Sequence, residues 1–273
     1  MQDHKIGFIG AGNMASSLIQ GLLNKGLPGT NILAADIDEQ KLDALAKEFG
    51  IVASAPAQLV ADADVVVLAV KPQVMQTVCE GLASSLDGRE SPCLFVSIAA
   101  GISLASLESW LSDQASVVRC MPNTPALVGK GATGLFANPN VDAGQKEAAS
   151  QLLDAVGVSV WVNKESDLDT VTAVSGSGPA YYFLFMEAML DTAKEMGMDE
   201  ELARLLVLQT AAGAAELASQ SEDDIAELRR KVTSPGGTTE QAILQFESGG
   251  LRELVKKALV AARDKSVDLS RSA

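Results

Sequence analysis

Over roughly the first 160 residues, short apolar runs alternate with longer amphipathic stretches, the pattern of strand-helix-strand units built on a parallel sheet. The runs are Lys5–Gly10, Asn31–Ala35, Val65–Val70, Cys93–Ile98, Val117–Cys120, Ala132–Phe136 and Val158–Val162. Val65 to Val70 is apolar without interruption after Asp62 and Asp64, as expected of a strand covered on both faces. Between the first two runs Met14, Leu18 and Leu22 recur every four residues and mark one face of a helix. After Asn163 no strand-like run remains. Ala/Leu/Glu-rich stretches predict helices over Ser166–Val174, Pro179–Met196, Asp199–Ser219, Glu222–Lys231, Gly236–Glu247 and Leu251–Leu269.

This pattern predicts an α/β fold: an N-terminal Rossmann-type doubly wound sheet over residues 1–163, followed by an all-α domain over residues 164–273. In the second half Leu202, Leu205, Leu206 and the run Gln209 to Ala215 make a small, apolar helix face. Such a face packs either on other helices of the same subunit or on those of a second copy. About 110 residues with few aromatics make a thin core alone, which favours a dimerisation domain.

Composition removes several classes of function. The 273 residues carry 21 Lys+Arg against 35 Asp+Glu, a net charge of −14, so nothing global attracts a phosphate backbone and nucleic acid is not an expected partner. The single histidine, His4, precedes the first run. Triads and zinc sites that need imidazoles are therefore not expected, nor is any other metal. Cys79, Cys93 and Cys120 lie 14 and 27 residues apart, unlike a metal pair or an even disulfide framework, and fit buried thiols in a cytoplasmic protein. Met1 to Lys5 lacks the features of a secretory leader and no run approaches a membrane span, so neither secretion nor a membrane is expected.

The first run ends in Gly7-Phe8-Ile9-Gly10-Ala11-Gly12-Asn13-Met14-Ala15, a glycine turn between a strand and the Met14/Leu18/Leu22 helix. Gly10 suits the tight turn, Gly12 the approach of a pyrophosphate, and Ala15 the close packing of helix on strand. The backbone of Gly10, Ala11, Gly12, Asn13 and Met14 at a helix N-terminus then receives the phosphates of a dinucleotide. Asp36 closes the second run 24 positions after Gly12, where a carboxylate accepts ribose hydroxyls and repels a 2′-phosphate; by charge it argues for NADH. Ala69-Val70-Lys71-Pro72 and Ala99, in Ser97-Ile98-Ala99-Ala100-Gly101, close two further runs at the same carboxyl edge and complete the expected cofactor site.

Three small, hydroxyl-rich loops remain: Met121-Pro122-Asn123-Thr124-Pro125, Ser175-Gly176-Ser177-Gly178-Pro179-Ala180-Tyr181, and Thr233-Ser234-Pro235-Gly236-Gly237-Thr238-Thr239-Glu240. The last leads into a helix whose first N–H groups suit a carboxylate. These loops, together with the glycine turn, Ala69-Val70-Lys71-Pro72 and Ser97 to Gly101, resemble pyrroline-5-carboxylate reductase in collinear order over nearly the whole chain. The resemblance implies reduction of 1-pyrroline-5-carboxylate to L-proline by NAD(P)H, the last step of proline biosynthesis, in dimers with entwined helical domains that commonly assemble into decamers. Many relatives carry a turn after the second strand that suits NADPH, where Asp36 stands here. Where some place an adenosine-contacting Asn, this chain has Pro56.

A protonated cyclic imine is already electrophilic, so proximity and charge placement matter more than a strong base. Ser234, Gly237, Thr238 and Thr239 are expected to hold the substrate carboxylate and ring nitrogen. Thr239, with Ser234, is the expected catalytic group, its hydroxyl a donor or water-orienter at that nitrogen. Asn123 and Ser177 are expected nearer the nicotinamide. Two alternatives compete: a 3-hydroxyacid dehydrogenase, whose catalytic lysine would have to be Lys194, and a non-catalytic dinucleotide sensor.

Overall fold

The computed structural model describes residues 4–86 and 92–271; Met1, Gln2 and Asp3 of the leader argument lie outside them. Two compact units result, Met1–Ser177 with Ala261–Ala273, and Gly178–Val260.

The first unit contains β1 (Ile6–Ile9), α1 (Asn13–Asn24), β2 (Ile32–Ala35), α2 (Glu39–Phe49), β3 (Val52–Ala53), α3 (Pro56–Asp62), β4 (Val65–Leu68), α4 (Pro72–Ala83), β5 (Leu94–Ser97), α5 (Leu104–Leu111), β6 (Ser116–Met121), β7 (Gly131–Ala137), α6 (Ala143–Leu153), β8 (Gly157–Trp161) and α7 (Asp167–Val171). All seven apolar runs form strands with ends within two residues of those expected. The eight strands lie in the order β3-β2-β1-β4-β5-β6-β7-β8, so the order reverses between β1 and β4. That is the switch point at which open α/β sheets bind ligands. Alternate residues feed two cores. Ile6, Phe8, Val65, Val67, Leu94 and Val96 pack with Leu18 and Leu22 of α1, while Ile9, Val66, Leu68 and Phe95 pack with Leu59, Met75 and Leu107 on the other face.

Two features depart from the expected parallel sheet of seven runs. β7 runs antiparallel to β6, because Asn123 to Lys130 joins them through the short 3-10 turn Thr124–Val128, too few residues for a crossover helix. β3 is an added edge strand, parallel to β2 over two exposed residues, and Ile51-Val52-Ala53 is too short an apolar run to mark it.

The chain changes character at residue 163, but compactness changes at Ser177. Leu168 and Ala173 are buried, and Val171 lies against Gly134 of β7, so α7 belongs with the sheet. It is followed by a π-helical turn, Thr172–Gly176.

The second unit comprises α8 (Gly178–Glu195), α9 (Glu200–Gln220), α10 (Ile225–Lys231), α11 (Thr238–Ser248) and the start of α12 (Leu251–Arg271). Only Gly178, Ala203 and Val207 are buried within it. Leu205 is 64% exposed, Leu184 66% and Tyr182 70%. The face around Leu202, Leu205 and Leu206 is thus only partly covered within the unit. No helix among the described residues is long and apolar enough to cross a membrane.

Cys79, Cys93 and Cys120 are all buried. Burial pushes the Cys79 thiol up to about 12, with the Glu80 carboxylate adding to the effect, and burial raises Cys120 further still. The reactive thiolate is thereby suppressed. A thiol reagent at neutral pH is expected to label the native protein far more slowly than the denatured chain, and rapid native labelling would show that these positions open.

Candidate active site

At the end of β1, Gly10 has φ +101°, a conformation open to glycine and strained for other residues. A Cβ there would stand 2.7 Å from the Ala69 carbonyl oxygen, so β1 and β4 approach at the switch point only because the side chain is absent. The Gly10 N–H donates to the Ala35 carbonyl at 2.8 Å, and the Ala69 N–H donates to that of Ile9 at 2.8 Å. Ala11 and Ala15 are fully buried.

Asp36 completes this junction from the end of β2. One carboxylate oxygen accepts the Ala11 N–H at 2.6 Å and the other accepts the Asp38 N–H at 3.0 Å. Desolvation raises the Asp36 pKa, but the N–H groups of Asp38 and Ala11, with Lys41 and Ile37, outweigh it and hold the carboxyl below its ordinary value. A fixed negative charge therefore stands beside the glycine turn.

The helix starts differ in how their first N–H groups are met. Asp38, Ser103 and Asp142 cap α2, α5 and α6 with their side chains. α1 instead opens on Gly12, with no side-chain cap and no acidic residue in its first turn. A Cβ on Gly12 would meet nothing within 4 Å, so open space lies in front of uncapped N–H groups, which is what a pyrophosphate requires. Asn13 is exposed and Met14 half-buried at this helix start. Along the same edge, Ala69 and Val70 are half-buried, Lys71 is the exposed N-cap of α4 with Pro72 at its first position, and Ala99 is buried after β5. The residues read from the sequence as a cofactor site are thus brought together.

Asn123 is 9% exposed and both ends of its amide are engaged with backbone. Its Oδ1 accepts the Ala132 N–H at 2.9 Å and its Nδ2 donates to the Ser175 carbonyl at 3.0 Å. It therefore ties the start of β7 to the π-helical turn, whose last bond runs from the Ser177 N–H to the Thr172 carbonyl at 2.8 Å. Sequence reading placed Asn123 and Ser177 together; their connection runs through Ser175.

The remaining expected residues belong to the helical unit. α9 and α10 are capped by Asp199 and Asp224, whereas α11 opens on Gly237 with no side-chain cap. Gly236 has φ +73°. The Gly237 N–H donates to the Ser234 carbonyl at 3.0 Å, and Glu240, in the first turn of α11, accepts the Gly236 N–H at 2.8 Å. Ser234, Thr238 and Thr239 are exposed around this turn. Lys194, in contrast, is exposed in the last turn of α8, its Nζ 3.3 Å from Asp191 and 4.0 Å from Glu200, a surface ion pair that gives no support to a catalytic lysine. No three His, Cys, Asp or Glu side chains among the described residues are grouped to hold a metal.

Sequence reading missed Arg119 and Glu165. Arg119 Nη1 lies 2.7 Å from Glu165 Oε1, with side chains 9% and 29% exposed. A charged residue inside the strand Ser116–Met121 was the available signal.

A glycine turn at the switch point of a doubly wound sheet, followed by a helical unit carrying a second uncapped glycine-led helix, defines a dinucleotide-binding oxidoreductase. Residues 5–101 match the family described as NADP oxidoreductase, coenzyme F420-dependent, and residues 165–269 match pyrroline-5-carboxylate reductase dimerisation. The pyrroline-5-carboxylate reductase of Pseudomonas aeruginosa is 54% identical over 99% of this chain and 98% of its own. The solved structure of the Coxiella burnetii enzyme superposes with a TM-score of 0.94 at 45% identity, covering 98% of both chains. That of Plasmodium falciparum with NADP bound gives 0.85 at 31% identity, covering 99% of both. The chain belongs to the pyrroline-5-carboxylate reductase family.

Gly10→Ala is expected to cost roughly 1–3 kcal/mol of stability through the strained φ and the clash with Ala69, and to weaken dinucleotide binding by more than about tenfold. Denaturant unfolding and fluorescence titration check this; unchanged affinity would place the dinucleotide elsewhere.

Proposed function

We propose that this chain reduces 1-pyrroline-5-carboxylate to L-proline as a self-associating enzyme, with the dinucleotide held at the β1/β4 switch point. The observation that carries the reading is the pair of uncapped, glycine-led helix starts: α1 at Gly12 for the pyrophosphate and α11 at Gly237 for the substrate carboxylate. When bound, the reduced nicotinamide supplies a hydride for the C=N carbon. The ring nitrogen keeps the proton that made the imine electrophilic, so the double bond becomes the amine of proline and the dinucleotide leaves oxidised.

The chain's own residues bind and orient. The N–H groups of Thr238 and Thr239 and the turn at Ser234 and Gly237 hold the carboxylate. The Thr239 hydroxyl stands at the ring nitrogen, accepting its N–H while the imine is protonated and donating to the amine lone pair once the hydride has added, or orders a water there, and Ser234 assists. Asn123 acts at one remove, by fixing the turn that leads to Ser177.

For the cofactor we favour NADH. The Asp36 carboxylate is pinned beside the glycine turn by two backbone N–H groups, and a 2′-phosphate about 4 Å from it would cost roughly 4 kcal/mol at an effective dielectric of about 20. Screening reduces that figure, but about 1.4 kcal/mol is already tenfold in affinity. Because the Asp36 pKa is lowered, the charge and the discrimination persist through neutral pH and fade only in acid, as the carboxylate protonates.

The enzyme is expected to act as a dimer in which the helical units of two copies cover each other's apolar faces, as the match to a dimerisation segment supports.

Two outcomes check this reading in steady-state kinetics and binding titrations. Thr239→Ala should lower kcat/KM for pyrroline-5-carboxylate by about tenfold or more, the order of one charge-assisted hydrogen bond, with dinucleotide affinity nearly unchanged; equal loss of both would move Thr239 out of the substrate site. Asp36→Ser should raise kcat/KM for NADPH relative to NADH by about tenfold. A wild type that prefers NADPH, with the variant unaltered, would show that Asp36 does not face the ribose.

A further inference from the structure

The loop Ile98–Ser103, which carries Ala99 from the end of β5 to the start of α5, is held by groups that no expected site residue supplies. The Leu104 N–H, at the loop's exit, donates to Glu165 Oε1 at 2.8 Å. The same oxygen accepts Arg119 Nη1 at 2.7 Å. Arg119 pairs in register with Ser97, the last residue of β5, so one carboxylate oxygen ties together the exit of the loop and the strand beside its entrance. On its other side the loop meets the end of α12. Gly101 lies so near that an added Cβ would be 3.5 Å from the Leu269 Cβ. That helix end is itself fastened, by Ser266 Oγ donating to Asp169 Oδ1 at 2.7 Å and by Arg119 Nη2 donating to Ser270 Oγ at 3.4 Å.

Helix capping alone does not call for Glu165, because α5 already has a cap: Ser103 Oγ accepts the Ser106 N–H at 3.1 Å. Nor is a part-buried ion pair an efficient source of stability, since desolvation of both charges offsets much of their attraction. What the pair supplies is directional restraint. One oxygen accepting from both Arg119 Nη1 and the Leu104 N–H, at 2.7 and 2.8 Å, fixes the loop's exit relative to the strand Ser116–Met121, and a displacement of the loop would take the Leu104 N–H away from an acceptor that Arg119 holds in place.

We infer that Glu165, oriented by Arg119, is a positioning residue for dinucleotide binding: it sets the Ile98–Ser103 loop, and with it Ala99, at the carboxyl edge of β5. The inference rests on the reading that this edge holds the dinucleotide.

Fluorescence titration of the full-length protein with NADH and with NADPH, alongside thermal unfolding, tests it in wild type, Glu165→Ala and Glu165→Gln. Glu165→Ala should weaken binding of the dinucleotide by about tenfold, the loss expected when a hydrogen-bonded charge pair is broken. Glu165→Gln, which keeps an acceptor oxygen for the Leu104 N–H and Arg119, should recover most of the affinity. If Glu165→Ala gives no soluble protein, Glu165→Asp, which withdraws the carboxylate by one methylene, should show the same weakening. Affinity unchanged in the folded variants, whatever their melting temperatures, would overturn the positioning role and leave the pair as part of the fold. A wild type that binds neither dinucleotide would instead overturn the cofactor reading beneath it.

Discussion

The helical unit depends on apolar burial that it does not complete by itself. With only Gly178, Ala203 and Val207 buried from Gly178 to Val260, helices α8, α9 and the start of α12 turn Phe183, Leu184, Leu205, Leu217 and Leu254 outward. Each large side chain fully buried is worth roughly 1.5–3 kcal/mol, while association costs about 4–15 kcal/mol in lost freedom. Mutual cover of several such side chains by two copies is of the order needed to offset that cost, and isolated helices of this kind are marginal without packing. The turn that carries Ser234 and Thr239 lies within this unit, so its geometry is tied to the same burial. On the proposed function, self-association is in this sense part of the substrate site's fold.

The sheet unit solves a different problem, presenting backbone N–H groups to an anion without collapsing onto them. Gly10 lets β1 and β4 close at their carboxyl ends, and Asp36 occupies the Ala11 N–H. The N–H groups of α1 beyond Gly12 remain uncapped. Neighbouring helices spend side chains of Asp38, Ser103 and Asp142 on the same orphan groups. α3 and α4 also start without a side-chain cap, but behind Ala55 and Lys71 with a proline at the first position; α1 and α11 share a glycine at the cap position instead.

Much of this was legible in the sequence because the relevant physics is local. Continuous apolar runs such as Val65 to Leu68 mark strands covered on both faces, and Gly10, Gly12 and Ala15 sit at one strand-to-helix junction. What was not legible depends on contacts between distant segments. β3 is two exposed residues whose strand character comes from pairing with β2. The reversal of β7 follows from a short connection whose 3-10 turn no hydrophobic period reports. Asn123 reads as a site residue by its motif, yet its amide is satisfied by Ala132 and Ser175. The Arg119–Glu165 pair joins residues 46 apart in sequence; a charge within an apolar strand marks Arg119, but nothing local names Glu165 as its partner. The unit boundary at Ser177, rather than at residue 163, likewise reflects α7 lying on the sheet, a tertiary fact.

The dependence of the helical unit on a second copy is tested most directly by light scattering on the enzymatically active fraction at assay concentration. The account predicts a mass at least twice the 28.4 kDa of the chain, with no active species below it. A stable, fully active species of 28.4 kDa would contradict it, because the exposed faces of α8 to α11 would then need no partner and the substrate turn would be complete in one chain.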